Sequence, residues 1–179
     1  MHNDIERILI NKDEVNQINE RLGECISKDY KGKKLLLVSV LKGSVVFLAD
    51  LMREITIPCN IDFMVVSSYG SGVKTSGVVK IIKDLDTKLD GYDVLIVEDI
   101  LDSGMTLSYL VDILKCRNPK SVKICTFLDK PERRVADIKA DYIGYTVPDA
   151  FIVGYGLDYD EYYRNVPYVG ILKPEVYNK

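Results

Sequence analysis

The sequence predicts an α/β domain with a mostly parallel central sheet, and three observations lead there. Residues 35–40 (LLLVSV, broken only by Ser39) and 94–97 (VLIV) are near-continuous apolar runs of strand length, the pattern of strands covered on both faces. Each run is followed by a stretch whose apolar residues recur at helical spacing, as crossover helices require. The alternation repeats through the middle of a 179-residue chain, a length that suits one domain spanning residues 1–179.

Taken in order, residues 4–10 alternate loosely and read as a short strand. Asn11 has the character of a helix N-cap, and Glu14 three positions on completes a capping box. Val15, Ile18, Leu22 and Cys25/Ile26 then carry a helix to about Tyr30. Residues 31–34 (KGKK) make a turn before the strand at 35–40. A second helix covers 43–55, with Val46, Phe47, Leu51 and Ile55 inward, and a strand follows at 60–67. Residues 69–77 (YGSGVKTSG) are small, polar and flexible in character. Strands at 78–83 and 94–97 come next, then a helix at 104–116 with Leu107, Leu110, Val111 and Leu114 as its stripe, then a strand at 122–127. The tail, 142–179, has short apolar pieces broken by Gly and Pro and no good helix. With the N-terminal segment it is expected to form a small hood over the sheet edge.

Composition removes several classes of chemistry. The net charge of −3 with dispersed lysines argues against a nucleic-acid partner. No apolar run is long enough to span a bilayer, and no signal peptide opens the chain, so a cytoplasmic location is expected. Cys25, Cys59, Cys116 and Cys125 are far apart and form no CxxC pair, which disfavours disulfides and structural zinc. The single histidine, His2, stands at the fraying N-terminus, so histidine-dependent triads and zinc enzymes are improbable. Proton transfer falls to carboxylates, lysines or tyrosines.

In parallel sheets, ligands bind outside the carboxyl ends of the strands. The residues there are Lys42-Gly43-Ser44, Ser68-Tyr69-Gly70, Glu98-Asp99 and Asp129-Lys130. The third group opens the most informative segment, 94–107, VLIVEDILDSGMTL. A buried strand runs into Glu98 and Asp99; Asp102, Ser103, Gly104, Met105 and Thr106 follow, and a helix begins. Free N–H groups at the helix start, a permissive glycine and two hydroxyls make an anion cradle. Three carboxylates would repel a bare anion. They suit a ligand that also carries hydroxyls, or a divalent cation, and a ribose phosphate with Mg²⁺ meets both conditions. On spacing alone, helix capping and loop solubility explain the acids equally well. Gly72 and Gly77 have P-loop spacing, but Val78-Val79 stands where Lys-Ser/Thr would be needed, and no GxGxxG is present.

The segment 94–107 closely resembles the phosphoribosyl-diphosphate signature of the type I phosphoribosyltransferases. Leu41-Lys42-Gly43-Ser44, Ser68-Tyr69-Gly70, Leu128-Asp129-Lys130-Pro131 and 147–164 (VPDAFIVGYGLDYDEYYR) narrow the resemblance to the hypoxanthine-guanine phosphoribosyltransferase family, in its short bacterial form. It spans nearly the whole chain, with five motifs in order. The resemblance implies a Rossmann-like fold with a hood, and Mg²⁺-dependent transfer of a phosphoribosyl group from phosphoribosyl diphosphate to N9 of hypoxanthine or guanine. It implies Asp102 as general acid/base near purine N7, and Glu98 and Asp99 as ribose and metal ligands. Asp102, Ser103, Gly104, Met105 and Thr106 would form the 5′-phosphate loop. Lys42, Gly43 and Arg164 would bind diphosphate, with a cis or cis-capable bond between Lys42 and Gly43. Lys130 would donate to the purine 6-oxo oxygen, Phe151 would stack on the base, and Ile152 would contact it through its carbonyl. Asp158 would assist the metal or the guanine amino group. Ser68 and Tyr69 would belong to a loop that closes during catalysis. Without the resemblance, Lys42 is a turn residue, Lys130 and Arg164 are surface cations, and Phe151 is core.

A ligand-sensing regulator that keeps the motif is a competing class. It is disfavoured because no basic surface or added DNA-binding segment is evident, and Lys42, Lys130, Phe151 and Arg164 are all present. Transfer to xanthine shares the 6-oxo group and stays open, whereas adenine is disfavoured by Lys130. Animal family members carry a longer N-terminal segment, which leaves homodimer and homotetramer both open.

Overall fold

The computed structural model describes residues 3–68 and 79–178. The six-stranded sheet expected from the apolar runs has the order β4(Val79–Lys83), β3(Cys59–Ser68), β2(Leu35–Leu41), β5(Asp93–Leu101), β6(Ser121–Asp129), β7(Tyr142–Thr146). All neighbouring pairs are parallel except β3 with β4. Val94, Leu95, Ile96 and Val97 are fully buried, as are Leu36, Leu37 and Val38, because helices cover both sides. Helices α1(Lys12–Asp29) and α2(Val45–Glu54) cover one face and share a core with Leu35, Leu37, Leu95 and Val97. Helix α3(Met105–Lys115) covers the other, against Leu36, Val38, Val94 and Ile96.

The N-terminus of α1 forms as its sequence requires. The Asn11 side chain accepts from the N–H groups of Asp13 at 2.9 Å and Glu14 at 3.0 Å, and the Asn11 N–H donates to Glu14 Oε2 at 2.7 Å. The reciprocal bonds satisfy donors that the first turn leaves open.

The expected hood boundary at Tyr142 needs correction. Residues Tyr142–Thr146 pair in parallel with β6 and extend the main sheet. A second, antiparallel sheet gathers β1(Ile5–Ile10), β9(Val169–Leu172) and β8(Ile152–Val153). Its apolar centre is Ile5, Val153, Val166 and Leu172. A one-turn helix, α4(Pro174–Tyr177), ends the tail where no helix was expected. Proline at its first position, and the Lys173 N–H donating to the Asp4 carbonyl at 2.9 Å, hold it to the second sheet.

Strand β2 leads through α2 to β3 on one side, while β5 leads through α3 to β6 on the other. The chain therefore reverses its winding between β2 and β5. A crevice opens at such a point, and the residues after β2 and at the end of β5 flank it.

Candidate active site

Strand β5 does not stop at Val97. It continues through Leu101, so Glu98 and Asp99 are strand residues rather than loop residues. Successive strand side chains point to opposite faces. Glu98 accordingly lines a cavity of about 240 Å³ with Val40, Asp102, Ser103, Gly104 and Thr106. Asp99 turns to the α2 side, where its carboxylate lies so close to Gly43 that a Cβ there would strike it. The pair is thereby split between two compartments, which spacing could not show.

Both acids titrate high. Burial, and secondarily the charge of Asp99, hold Glu98 well above the usual carboxylate range. Burial pushes Asp99 up to about 6, opposed by the N–H groups of Ile100 and Asp99 itself and by Arg164, and reinforced by Asp158. Among the described residues, no group of three or more Asp, Glu, His or Cys side chains could hold a metal ion unaided. Asp99, with Asp158 near it on the α2 side, still suits a hard divalent cation, provided ligand oxygens and water complete its shell.

The loop from Asp102 to Gly104 is held from behind by Arg134. Its guanidinium donates to the carbonyls of Asp102 at 2.8 Å, Ile138 at 2.8 Å and Leu101 at 3.0 Å, and to the Asp129 carboxylate. The N–H groups of Val135 and Ala136 donate to the Ser103 carbonyl at 2.9 and 3.1 Å. A trans peptide points its N–H opposite to its carbonyl, so the N–H groups of Asp102, Ser103 and Gly104 face away from Arg134. Gly104 caps α3 with φ 78°, and a Cβ on it would meet Ile138 Cγ2 at 2.6 Å. Met105 opens the helix and is exposed. Sequence reasoning missed Arg134; the signal was the Arg133-Arg134 pair just after the strand-end Asp129-Lys130.

A second cavity of about 300 Å³ adjoins the first and is lined by Asp102, Lys130, Phe151, Ile152, Leu157, Asp158 and Tyr177, among others. Ile100 and Asp102 belong to both cavities, so Asp102 stands at their junction. Its Oδ1 is buried and has no hydrogen-bond partner among the described residues. Lys130, only 5% exposed, donates to the Ala150 carbonyl at 2.9 Å. Burial pulls the Lys130 amine below its ordinary value, and the charge of Asp102 partly restores it. Phe151 stacks on Tyr177 at 4.7 Å between centroids and meets Tyr159 edge-on at 5.4 Å. Tyr177 was not singled out from sequence, because a tyrosine near a chain end carries no local signal.

The cations converge on the α2 side. Arg164 pairs with Asp158 at 2.8 Å and lies 3.4 Å from Glu161, to which Lys42 also donates at 3.0 Å. Glu161, unpredicted, thus holds both cations around one exposed carboxylate. The cis peptide bond lies between Leu41 and Lys42, one residue before the expected Lys42–Gly43 position. Ser68 closes β3, while Tyr69 falls outside the described residues.

The chain is similar to known proteins over its whole length. The phosphoribosyl transferase domain model matches residues 4–160. A hypoxanthine-guanine phosphoribosyltransferase of Streptococcus thermophilus is 55% identical over 100% of this chain and 99% of its own length. The chain also matches a bifunctional protein TilS/HprT of Listeria monocytogenes at 54% identity, spanning 28% of that longer protein. A solved hypoxanthine phosphoribosyltransferase from Staphylococcus aureus superposes with TM-score 0.97 at 50% identity, covering 100% of this chain and 97% of that one. No helix among the described residues is long and apolar enough to cross a membrane. With the signature strand, the twin cavities and the reversed winding in one molecule, the chain belongs to the phosphoribosyl transferase family, in its hypoxanthine-guanine branch.

Proposed function

We propose that this protein transfers the 5-phosphoribosyl group of phosphoribosyl diphosphate to N9 of hypoxanthine or guanine, releasing diphosphate and giving IMP or GMP in purine salvage. The observation that carries this reading is the placement of Asp102 in the wall shared by the two cavities, with one carboxylate oxygen free. A sugar phosphate in the smaller cavity and a purine in the larger would meet there.

The residues divide the work. Outward-facing N–H groups of residues 102–104, with Met105 and Thr106 at the start of α3, suit the 5′-phosphate. Glu98, in the smaller cavity, suits a ribose hydroxyl, while Asp99 and Asp158, which share the α2 side with Arg164, suit Mg²⁺ once ligand oxygens and water complete its shell, in place of a three-carboxylate set with Glu98. When bound, Mg²⁺ neutralises charge on the departing diphosphate. Lys42, Gly43 and Arg164 suit the diphosphate itself, which would replace Glu161 as the shared anion of the two cations. The anomeric carbon develops oxocarbenium character as diphosphate leaves, and Asp102 takes a proton at purine N7 as N9 attacks.

Lys130 donates to the 6-oxo oxygen of the base. An adenine amino group would leave that buried donor facing another donor, at a cost of about 1–3 kcal/mol. Phe151 offers a ring to the purine, Ile152 a backbone carbonyl, and the Ser68-Tyr69 loop would exclude water. A cytoplasmic location suits the four free cysteines. A homodimer or homotetramer suits exposed apolar side chains such as Ile61, Ile82, Tyr109 and Tyr145.

The test is a spectrophotometric assay with Mg²⁺, phosphoribosyl diphosphate and, separately, hypoxanthine, guanine, xanthine and adenine. Turnover with hypoxanthine and guanine but not adenine is expected. Absence of turnover with every 6-oxopurine would end this reading.

A further inference from the structure

Gly154, Tyr155 and Gly156 are three consecutive residues in the left-handed region, with φ of 94°, 51° and 97°. The two glycines have an evident reason. A Cβ on Gly154 would strike the Tyr168 carbonyl oxygen, and one on Gly156 would strike that of Gly43. Tyr155 has a Cβ and is held there against its own preference, so its surroundings must over-determine it.

They do so at both ends of the residue. The Tyr155 N–H donates to the Val166 carbonyl at 2.8 Å. Its ring is buried and lies 4.6 Å from Phe127, centroid to centroid. Its hydroxyl donates to Asp50 Oδ2 at 2.8 Å and accepts from Asn19 Nδ2 at 2.8 Å. Asn19 is in turn fixed by donating to the Val15 carbonyl at 2.9 Å. The hydroxyl therefore joins α1 to α2 beneath the second sheet.

The next residue carries that constraint into the site. Gly156 donates its N–H to the Arg164 carbonyl at 3.0 Å and accepts from Arg164 Nη1 at 2.9 Å. It also packs on the Gly43 carbonyl. Gly43 leads at once into Ser44, whose Oγ donates to the Val40 carbonyl at 2.6 Å, and then into α2, which bears Asp50. A closed circuit results: from Gly43 along α2 to Asp50, across to the Tyr155 hydroxyl, through the backbone to Gly156, and back to Gly43.

We infer that Tyr155 is a positioning residue whose clamped hydroxyl sets the spacing between Gly43 and Arg164, the diphosphate side of the site. The inference rests on the phosphoribosyl transfer proposed above. Tyr155 touches neither substrate; it acts through Gly156.

Tyr155→Phe keeps the ring and removes the hydroxyl. Calorimetric titration with magnesium diphosphate, without purine, is expected to show affinity weaker by about tenfold, the scale of one or two lost net hydrogen bonds. KM for phosphoribosyl diphosphate should rise in parallel, while KM for hypoxanthine stays within about twofold, since the purine side is untouched. Asp50→Ala should copy the effect, whereas Asp50→Asn, which keeps an acceptor oxygen, should restore most of the affinity. This second pair decides the matter if Tyr155→Phe does not fold. A lowered melting temperature with unchanged diphosphate affinity would reduce Tyr155 to a core residue and overturn the inference. Equal rises in both KM values would overturn it too. A wild-type protein that neither binds diphosphate nor turns over would remove the proposed function and this inference together.

Discussion

The two halves of the site are built in opposite ways. Apart from Val40 of β2, the smaller cavity draws on one continuous run, the end of β5 and the start of α3, and offers chiefly backbone N–H groups with Glu98 and Thr106. The larger gathers side chains from the end of β6, from β8, from the loop after it and from the one-turn helix near the chain's end. A contiguous cradle survives changes elsewhere because its geometry is local. A gathered pocket depends on how the second sheet docks onto the first, so it is open to tuning, and to damage, from a distance. Asp102 belongs to both.

The largest expected effect tests that shared position. Asp102→Asn should lower kcat by about 10²–10⁴-fold while sparing phosphoribosyl-diphosphate binding, because the amide keeps the shape and loses the base. Single-turnover and binding measurements on the same protein separate the two. Unchanged turnover would dissolve the junction and leave two unrelated cavities.

Lys130→Gln addresses the gathered half alone. Loss of the charged donor should raise KM for guanine by about tenfold to a hundredfold, the equivalent of 1–3 kcal/mol, with little change in KM for phosphoribosyl diphosphate. A matching rise in both would show that the halves are not independent.

Gly104→Ala addresses the contiguous half by backbone alone. The left-handed conformation should cost about 1–2 kcal/mol, and the methyl group must also displace Ile138. KM for phosphoribosyl diphosphate is expected to rise, read against KM for hypoxanthine as the internal control.

The smallest effect concerns Asp99. Its carboxyl titrates at about 6 in the folded protein, against about 3.9 for an unfolded chain. Between those values the folded state binds the proton and the unfolded state does not, so stability falls as pH rises across that window and then levels. Asp99→Asn should therefore melt several degrees higher than wild type at neutral pH without ligand, with the gap closing near pH 4. Magnesium phosphoribosyl diphosphate should reverse the order, since it needs the carboxylate that the variant lacks. Thermal scans across pH, with and without that ligand, check both signs.

Much of the fold was legible in the sequence because the signals were local. Apolar runs marked β2 and β5, and Asn11 with Glu14 marked the start of α1. The limits appear where neighbours decide. Residues 98–101 look like the start of a loop because two acids, Glu98 and Asp99, end the apolar run, yet pairing with β6 keeps all four in the strand. Tyr142–Thr146 looks like part of the hood, yet the open edge of β6 claims it. Arg134 and Tyr177 stand outside the quoted motifs, Tyr155 and Glu161 lie within 147–164 with no role marked by the motif, and all four gain meaning only from what they touch.

By itself, then, the sequence determined the parallel sheet, the strand-to-helix turn before α3 and the candidate residues around it, because periodicity, capping and a contiguous motif act over a few residues. Only the tertiary structure decided that Glu98 and Asp99 face different compartments, that Asp102 joins two cavities, and that Gly156 seats Arg164 beside Gly43. Those are distances between residues far apart in the chain, set by strand pairing and by the close packing of two sheets.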